Sequence, residues 1–208
     1  SPEDAHSLAL EALKRPDEED SWGVAINNFY IKKDRAVIPE MKRILSLPGA
    51  HQLLSGGKKM RMKSVNAYQY LGAMDEREFI ASKLRELKKD QQAILYILSA
   101  LSHLREPPVP FDELHAIVKS SRYFRVWSLY GRYLSKHLTG FTQAECLKAS
   151  DWANDMLKNQ DVKKKPGLES LRKDLNQTHR ELRERIQFLE LREKESGGED
   201  VLPKKKKV

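Results

Sequence analysis

Between Met74 and Leu104 apolar side chains recur every three or four positions, as Phe79, Ile80, Leu84, Leu87, Ile94, Leu98 and Leu101. That period puts them on one face of an α-helix, whereas the side chains of a strand alternate every second residue. The run predicts the strongest helix of the chain, capped by Asp75 or Glu76. "REPPVPFDE" ends it, because Pro107 and Pro108 have no amide hydrogen to give and crowd the turn before them.

The same period fills most of the remaining chain. "SPEDAHSLALEALKR" opens with a capping Ser1, Pro2 and two acids, and Trp22, Ile26, Phe29 and Tyr30 share the face of a second candidate. Pro39 and Pro48 divide the next stretch into short helices, "SGGKKMRMK" reads as the main internal loop, and "SVNAYQYLGAM" is helical. Three helices follow, over 111–119, 121–138 and 142–159, the last with a capping box of Thr142 and Glu145. After "KKKPG", a long charged helix over 167–195 carries Leu168, Leu171, Leu175, Leu182 and Leu189 as a heptad seam, with Thr178 and Arg185 as its weak positions. No strand pattern and no repeat of 20–50 residues is present.

The pattern implies an all-α protein: a multi-helix, bundle-like body followed by a long C-terminal helix and a flexible basic tail. The expected divisions are 1–106, 107–161 (the same body or a small three-helix unit), 162–195 for the charged helix and 196–208 for the tail. With 208 residues the chain can bury one good core plus an appendage. No apolar run approaches the roughly 20 residues of a membrane span, so no membrane partner is expected. Ser1 in place of an initiating methionine reads as the start of a fragment. The single cysteine, Cys146, has no partner for a disulfide; it reads as a buried thiol in a reducing compartment.

Known catalytic patterns fail on specific residues. Gly57-Lys58 suggests a phosphate loop, but Gln52 stands where that motif needs glycine and Lys59 where it needs serine or threonine. His6, His51, His103, His115, His137 and His179 are scattered with no metal-ligand spacing. Asp151 and Asp155 lie one helical turn apart, a spacing that surface carboxylates show without any cation. No nucleophile elbow or triad pattern appears. The reading is therefore non-catalytic, with no cofactor and no metal.

Charge is where the sequence is informative. The formal net charge is +8, yet residues 1–20 hold seven acids against two bases. Two windows, 41–74 and 114–144, hold no acid at all. The first contains Lys42, Arg43, Lys58, Lys59, Arg61 and Lys63; the second contains Lys119, Arg122, Arg125, Arg132 and Lys136. Between them, 75–106 carries six bases and six acids. At about 100° per residue, Arg122, Arg125, Arg132 and Lys136 fall within an arc of about 80° on the 121–138 helix. Tyr123, Val126, Trp127, Tyr130, Tyr133, Leu134 and Leu138 fill the other side. One face suits a core, and the other suits a phosphate backbone. No zinc-finger spacing or other base-reading motif accompanies it, so any such contact is expected to be salt-sensitive and not strongly sequence-specific.

"PKKKKV" at 203–208 resembles the short monopartite nuclear-import signals, with Lys204, Lys205, Lys206 and Lys207 as the run an import receptor would read. That resemblance implies a nuclear protein. The expectation is a nuclear adaptor or scaffold subunit. It would contact DNA or RNA through Lys58, Lys59, Arg61, Lys63, Lys119, Arg122, Arg125, Arg132 and Lys136, and bind protein partners through the leucine seam. The alternatives are a purely protein–protein subunit whose basic face meets an acidic partner, and an accessory subunit of an enzyme completed by another chain. The acidic start could also screen the basic surface, or serve as a solubilising cap.

Overall fold

The computed structural model describes residues 7, 8, 10, 11, 34–47, 50, 51 and 57–196, with the backbone alone over 57–63 and at 196. All regular structure among them is helical, so the protein is all-α. The described residues form two compact units, divided between Tyr133 and Leu134. The division falls inside a helix.

In the first unit a short 3-10 turn, Arg35–Val37, leads into α1 (Ile38–Leu45). Asp34 caps the turn by accepting the Ala36 amide at 2.9 Å. Pro39 lies in the first turn of α1, where its missing amide hydrogen costs nothing, so it starts this helix. α2 (Gly57–Ala73) replaces the expected "SGGKKMRMK" loop from Gly57 onward. The physical reason is local: once past the glycines, Lys, Met and Arg are all good helix formers and nothing breaks the run.

The predicted single helix after Met74 is two helices, α3 (Arg77–Glu86) and α4 (Gln91–Leu101). Asp90 causes the break, its carboxylate accepting the Gln92 and Ala93 amides at 2.9 and 3.0 Å as the N-cap of α4. Neither expected cap of the first helix holds: Glu76 occupies the N-cap position without a side-chain bond. Asp75 instead turns the chain out of α2 with φ 61°, a left-handed conformation that Asp tolerates better than most residues. α4 is buried on nearly every side, from Gln92 to Leu101, and packs against both α2 and α3. An all-round apolar helix must sit at the centre. α2 and α4 approach closely at Gly72, where a Cβ would lie 2.5 Å from the Ala100 carbonyl oxygen. α5 (Phe111–Lys119) keeps its expected bounds, and α6 (Phe124–His137) follows.

The second unit takes the end of α6, a 3-10 turn at Leu138–Gly140, α7 (Gln143–Lys158), α8 (Gln160–Lys164) and α9 (Glu169–Ser196). Thr142 and Glu145 form the expected capping box. α8 falls where only a joint was expected, capped by Asn159, and Gly167 makes the turn beyond it with φ 83°. Gln143 reaches Glu190 and Ser150 reaches His179, so α7 and α9 run antiparallel as a helical hairpin.

The leucine seam expected to bind protein partners is instead covered over its middle by α7 of the same chain. Leu171, Leu175 and Leu182 are buried in the second unit, whose hairpin lays α9 along α7. Leu168 and Leu189, at the two ends of the seam, are half-buried. Seam position Thr178 is buried too, its hydroxyl donating to the Asp174 carbonyl at 2.9 Å, so its polarity is satisfied within the helix. The helix is too long to bury its stripe alone, and α7 of the same chain supplies the covering face. Cys146 lies on that face, fully buried, and burial pushes its thiol pKa up, which makes it a poor nucleophile.

Candidate nucleic-acid interface

The exposed cations of the 114–144 window are set by what α6 buries. Val126, Trp127, Tyr130 and Tyr133 point into the first unit with little or no exposed surface. Phe124 meets Trp127 edge to face at 5.2 Å between centroids, and Tyr130 stacks near Tyr133 at 6.0 Å. From α5, His115 Nδ1 lies 3.0 Å from the Tyr130 hydroxyl, and Phe111 stacks on His115 at 5.2 Å. This aromatic packing fixes the rotation of α6. Arg125, Arg132 and Lys136 are consequently exposed, within an arc of about 40° on the helix.

Arg122 is not part of that helix. Residues 121–123 are non-helical, and α6 begins at Phe124, so the expected four-cation arc is three cations on α6 plus one at its threshold. The threshold is well built. Buried Ser121 donates its hydroxyl to the Gln91 side chain and accepts the Tyr123 amide at 3.1 Å, while its carbonyl accepts the Trp127 indole N–H at 3.1 Å. Three bonds from one serine therefore hold the backbone that carries Arg122. Ser121 is a residue the charge pattern did not flag; a Ser just before an aromatic helix start was its only signal. Tyr123, placed on the inner face by the helical wheel, is 42% exposed because it too precedes the helix.

The ion pairs of the first unit show how this region differs from its neighbours. Arg35 and Lys42 each reach Glu76 at 2.7 Å, Arg43 pairs with Glu40 at 2.6 Å, and Arg77 pairs with Asp75 at 2.8 Å and with Glu106. Arg85 grips Glu113 with two bonds, at 2.8 and 3.0 Å. Glu113 is the last acid before the empty window, and its carboxyl pKa is lowered chiefly by that hydrogen bond. Among the described residues, Lys119, Arg122 and Arg125 have no carboxylate within ion-pair distance, and all three are exposed. Arg122 and Arg125 also stand at the start of α6, where no acid offsets the positive end of the helix dipole. The arrangement does not favour the helix; it concentrates positive potential.

Beside Arg125 and Arg132 lies a groove of about 260 Å³, lined by Val65 of α2, Leu95, Tyr96 and Ser99 of α4, and Ser128 and Leu129 of α6. A second hollow of about 370 Å³ brings Lys88 and Lys89 next to the Arg85–Glu113 pair, together with Ala116, Ile117 and Ser120. The even charge balance of 75–106 had hidden those two lysines.

The other residues expected at the interface are only partly located. Lys58, Lys59, Arg61 and Lys63 belong to the first turns of α2, but their side chains lie outside the described residues. Lys204, Lys205, Lys206 and Lys207 lie outside them altogether. Among the described residues no group of three or more His, Cys, Asp or Glu is placed to hold a metal ion, and no helix is long and apolar enough to cross a membrane. Compared with models of protein families, with curated proteins and with solved structures, the chain matches none.

Proposed function

We propose that this chain is a non-catalytic nuclear adaptor that grips the phosphate backbone of nucleic acid through Lys119, Arg122, Arg125 and Arg132 of its first unit. The observation that carries the reading is the exposed set Lys119, Arg122 and Arg125, which lacks carboxylate partners among the described residues while Arg35, Arg43, Arg77 and Arg85 nearby are paired. Phosphates are the anions that reward such a set, because each contact also releases a condensed counterion. The tail motif supports a nuclear address. Protein partners would meet α9 at exposed Phe188 and Leu191 near its C-terminal end, since the middle of the seam is covered.

The test is fluorescence anisotropy with a labelled DNA duplex over a salt series, comparing the full chain, a deletion of 203–208 and an Arg122→Gln/Arg125→Gln/Arg132→Gln variant. Three lost phosphate contacts should flatten the log–log salt slope by about 2.7. An unchanged slope in the triple variant, or a loss only on deleting the tail, would remove α6 from the interface and send the search toward an acidic protein partner.

A further inference from the structure

The groove beside α6 has a composition that a purely phosphate-binding face would not need. Its walls include Val65, Leu95 and Leu129, while Tyr96, Ser99 and Ser128 add hydroxyl-bearing side chains. Arg125 and Arg132 both belong to the same lining, seven residues apart on one helix and so about 10 Å apart along its axis. The Ser99 hydroxyl donates to the Tyr96 carbonyl at 2.6 Å and keeps its oxygen free to accept. At about 260 Å³ the space falls short of the usual range for a whole small-molecule ligand and suits one flat moiety at a time.

We infer that this groove receives one unstacked base of a single-stranded nucleic acid, whose flanking phosphates meet Arg125 and Arg132. The inference rests on the proposed nucleic-acid reading and adds to it a preference for single strands. A duplex keeps its bases paired and stacked inside, and extracting one costs energy that a single strand does not spend. A base offers apolar faces to Leu95 and Leu129 and polar edges to the hydroxyls, and either guanidinium can stack on an exposed ring. Along the chain the exposed cations continue from Arg125 back to Arg122 and Lys119, which fits a polymer with regular charge better than a peptide with one acidic cluster.

The experiment uses the full chain with a 12-nucleotide single strand carrying one 2-aminopurine, and with a hairpin duplex of the same composition. Two variants fill the groove from different helices, Leu129→Trp on α6 and Val65→Trp on α2, each checked for native circular dichroism. Wild type should bind the single strand more tightly than the hairpin, with 2-aminopurine fluorescence rising as the base leaves its neighbours. Either filling variant should weaken single-strand binding about tenfold, the scale of one lost base contact, and leave the hairpin within twofold. If filling changes neither ligand, or both equally, the base pocket is refuted while the phosphate-binding row stands. If wild type binds neither ligand, the nucleic-acid reading itself falls. Binding of a Glu- and Leu-rich 15-residue peptide, lost in both filling variants, would assign the groove to a protein instead.

Discussion

Arg85 and Arg125 belong to the same unit and carry the same guanidinium, yet they do different work. Arg85 closes a two-bond fork on Glu113 and ties the end of α3 to the start of α5. Arg125 stands exposed on α6, with no carboxylate in ion-pair reach among the described residues. The same contrast separates Arg35, Arg43 and Arg77 from Arg122. Net charge therefore says little about what a basic protein can bind. What counts is which cations the fold has already neutralised, and here the supply of acids stops at Glu113 and resumes only at Glu145.

Removing the buried support of the row should have the largest effect. Trp127→Ala deletes the indole that bonds Ser121 and packs on Phe124, and should lower unfolding stability by about 3–5 kcal/mol in a urea titration. A loss below about 1 kcal/mol would mean that the aromatic face is not what orients the cations. The triple charge variant comes next: it should lose much of its nucleic-acid affinity while its urea midpoint falls far less than that of Trp127→Ala, because exposed charges contribute little to folding. Glu113→Gln sharpens the comparison by turning a neutralised arginine into an available one. Affinity for single strands should rise about two- to threefold through the freed Arg85 charge, with the melting temperature moving less than about 3 °C. An unchanged affinity would confine the interface to Lys119, α6 and its threshold.

The smallest effect concerns pH. His51 bonds the Tyr68 hydroxyl at 2.8 Å, and burial is the main cause that lowers its pKa, with Asp90 and Glu86 opposing and Lys83 assisting. Below the ordinary value near 6.5 the unfolded chain takes up a proton that the folded chain resists. Stability should therefore fall as pH drops through about 6.5, modestly, since His51 is only half-buried. A melting temperature that is flat between pH 7.5 and 5.5 would contradict this.

Much of the fold was legible because helical period, proline stops and capping residues are local. α5 keeps its expected bounds, and the Thr142–Glu145 box and the buried Cys146 are where the pattern put them. The errors are of two kinds. Some local signals were outweighed by stronger-looking ones: Asp90 breaks a run whose apolar period continues through it, and the glycines of "SGGKKMRMK" masked a helical sequence after Gly57. Others were not local at all. The wheel that placed Arg122 and Tyr123 on α6 assumed a helix start three residues too early, which the bonds of Ser121 to Gln91 and Trp127 decide.

By itself the sequence determined that the chain is helical, where most of its helices stop, and where acids are missing. Those follow from backbone sterics, hydrogen-bond capping and composition, each of which acts within a few residues. The tertiary structure decided which faces are spent. It laid α7 over the leucine seam of α9, brought α2 against α4 at Gly72, and set Glu113 on Arg85 across 28 positions of chain. A side chain's availability depends on what packs against it from distant residues, and hydrophobic burial makes that choice without leaving a periodic trace in the sequence.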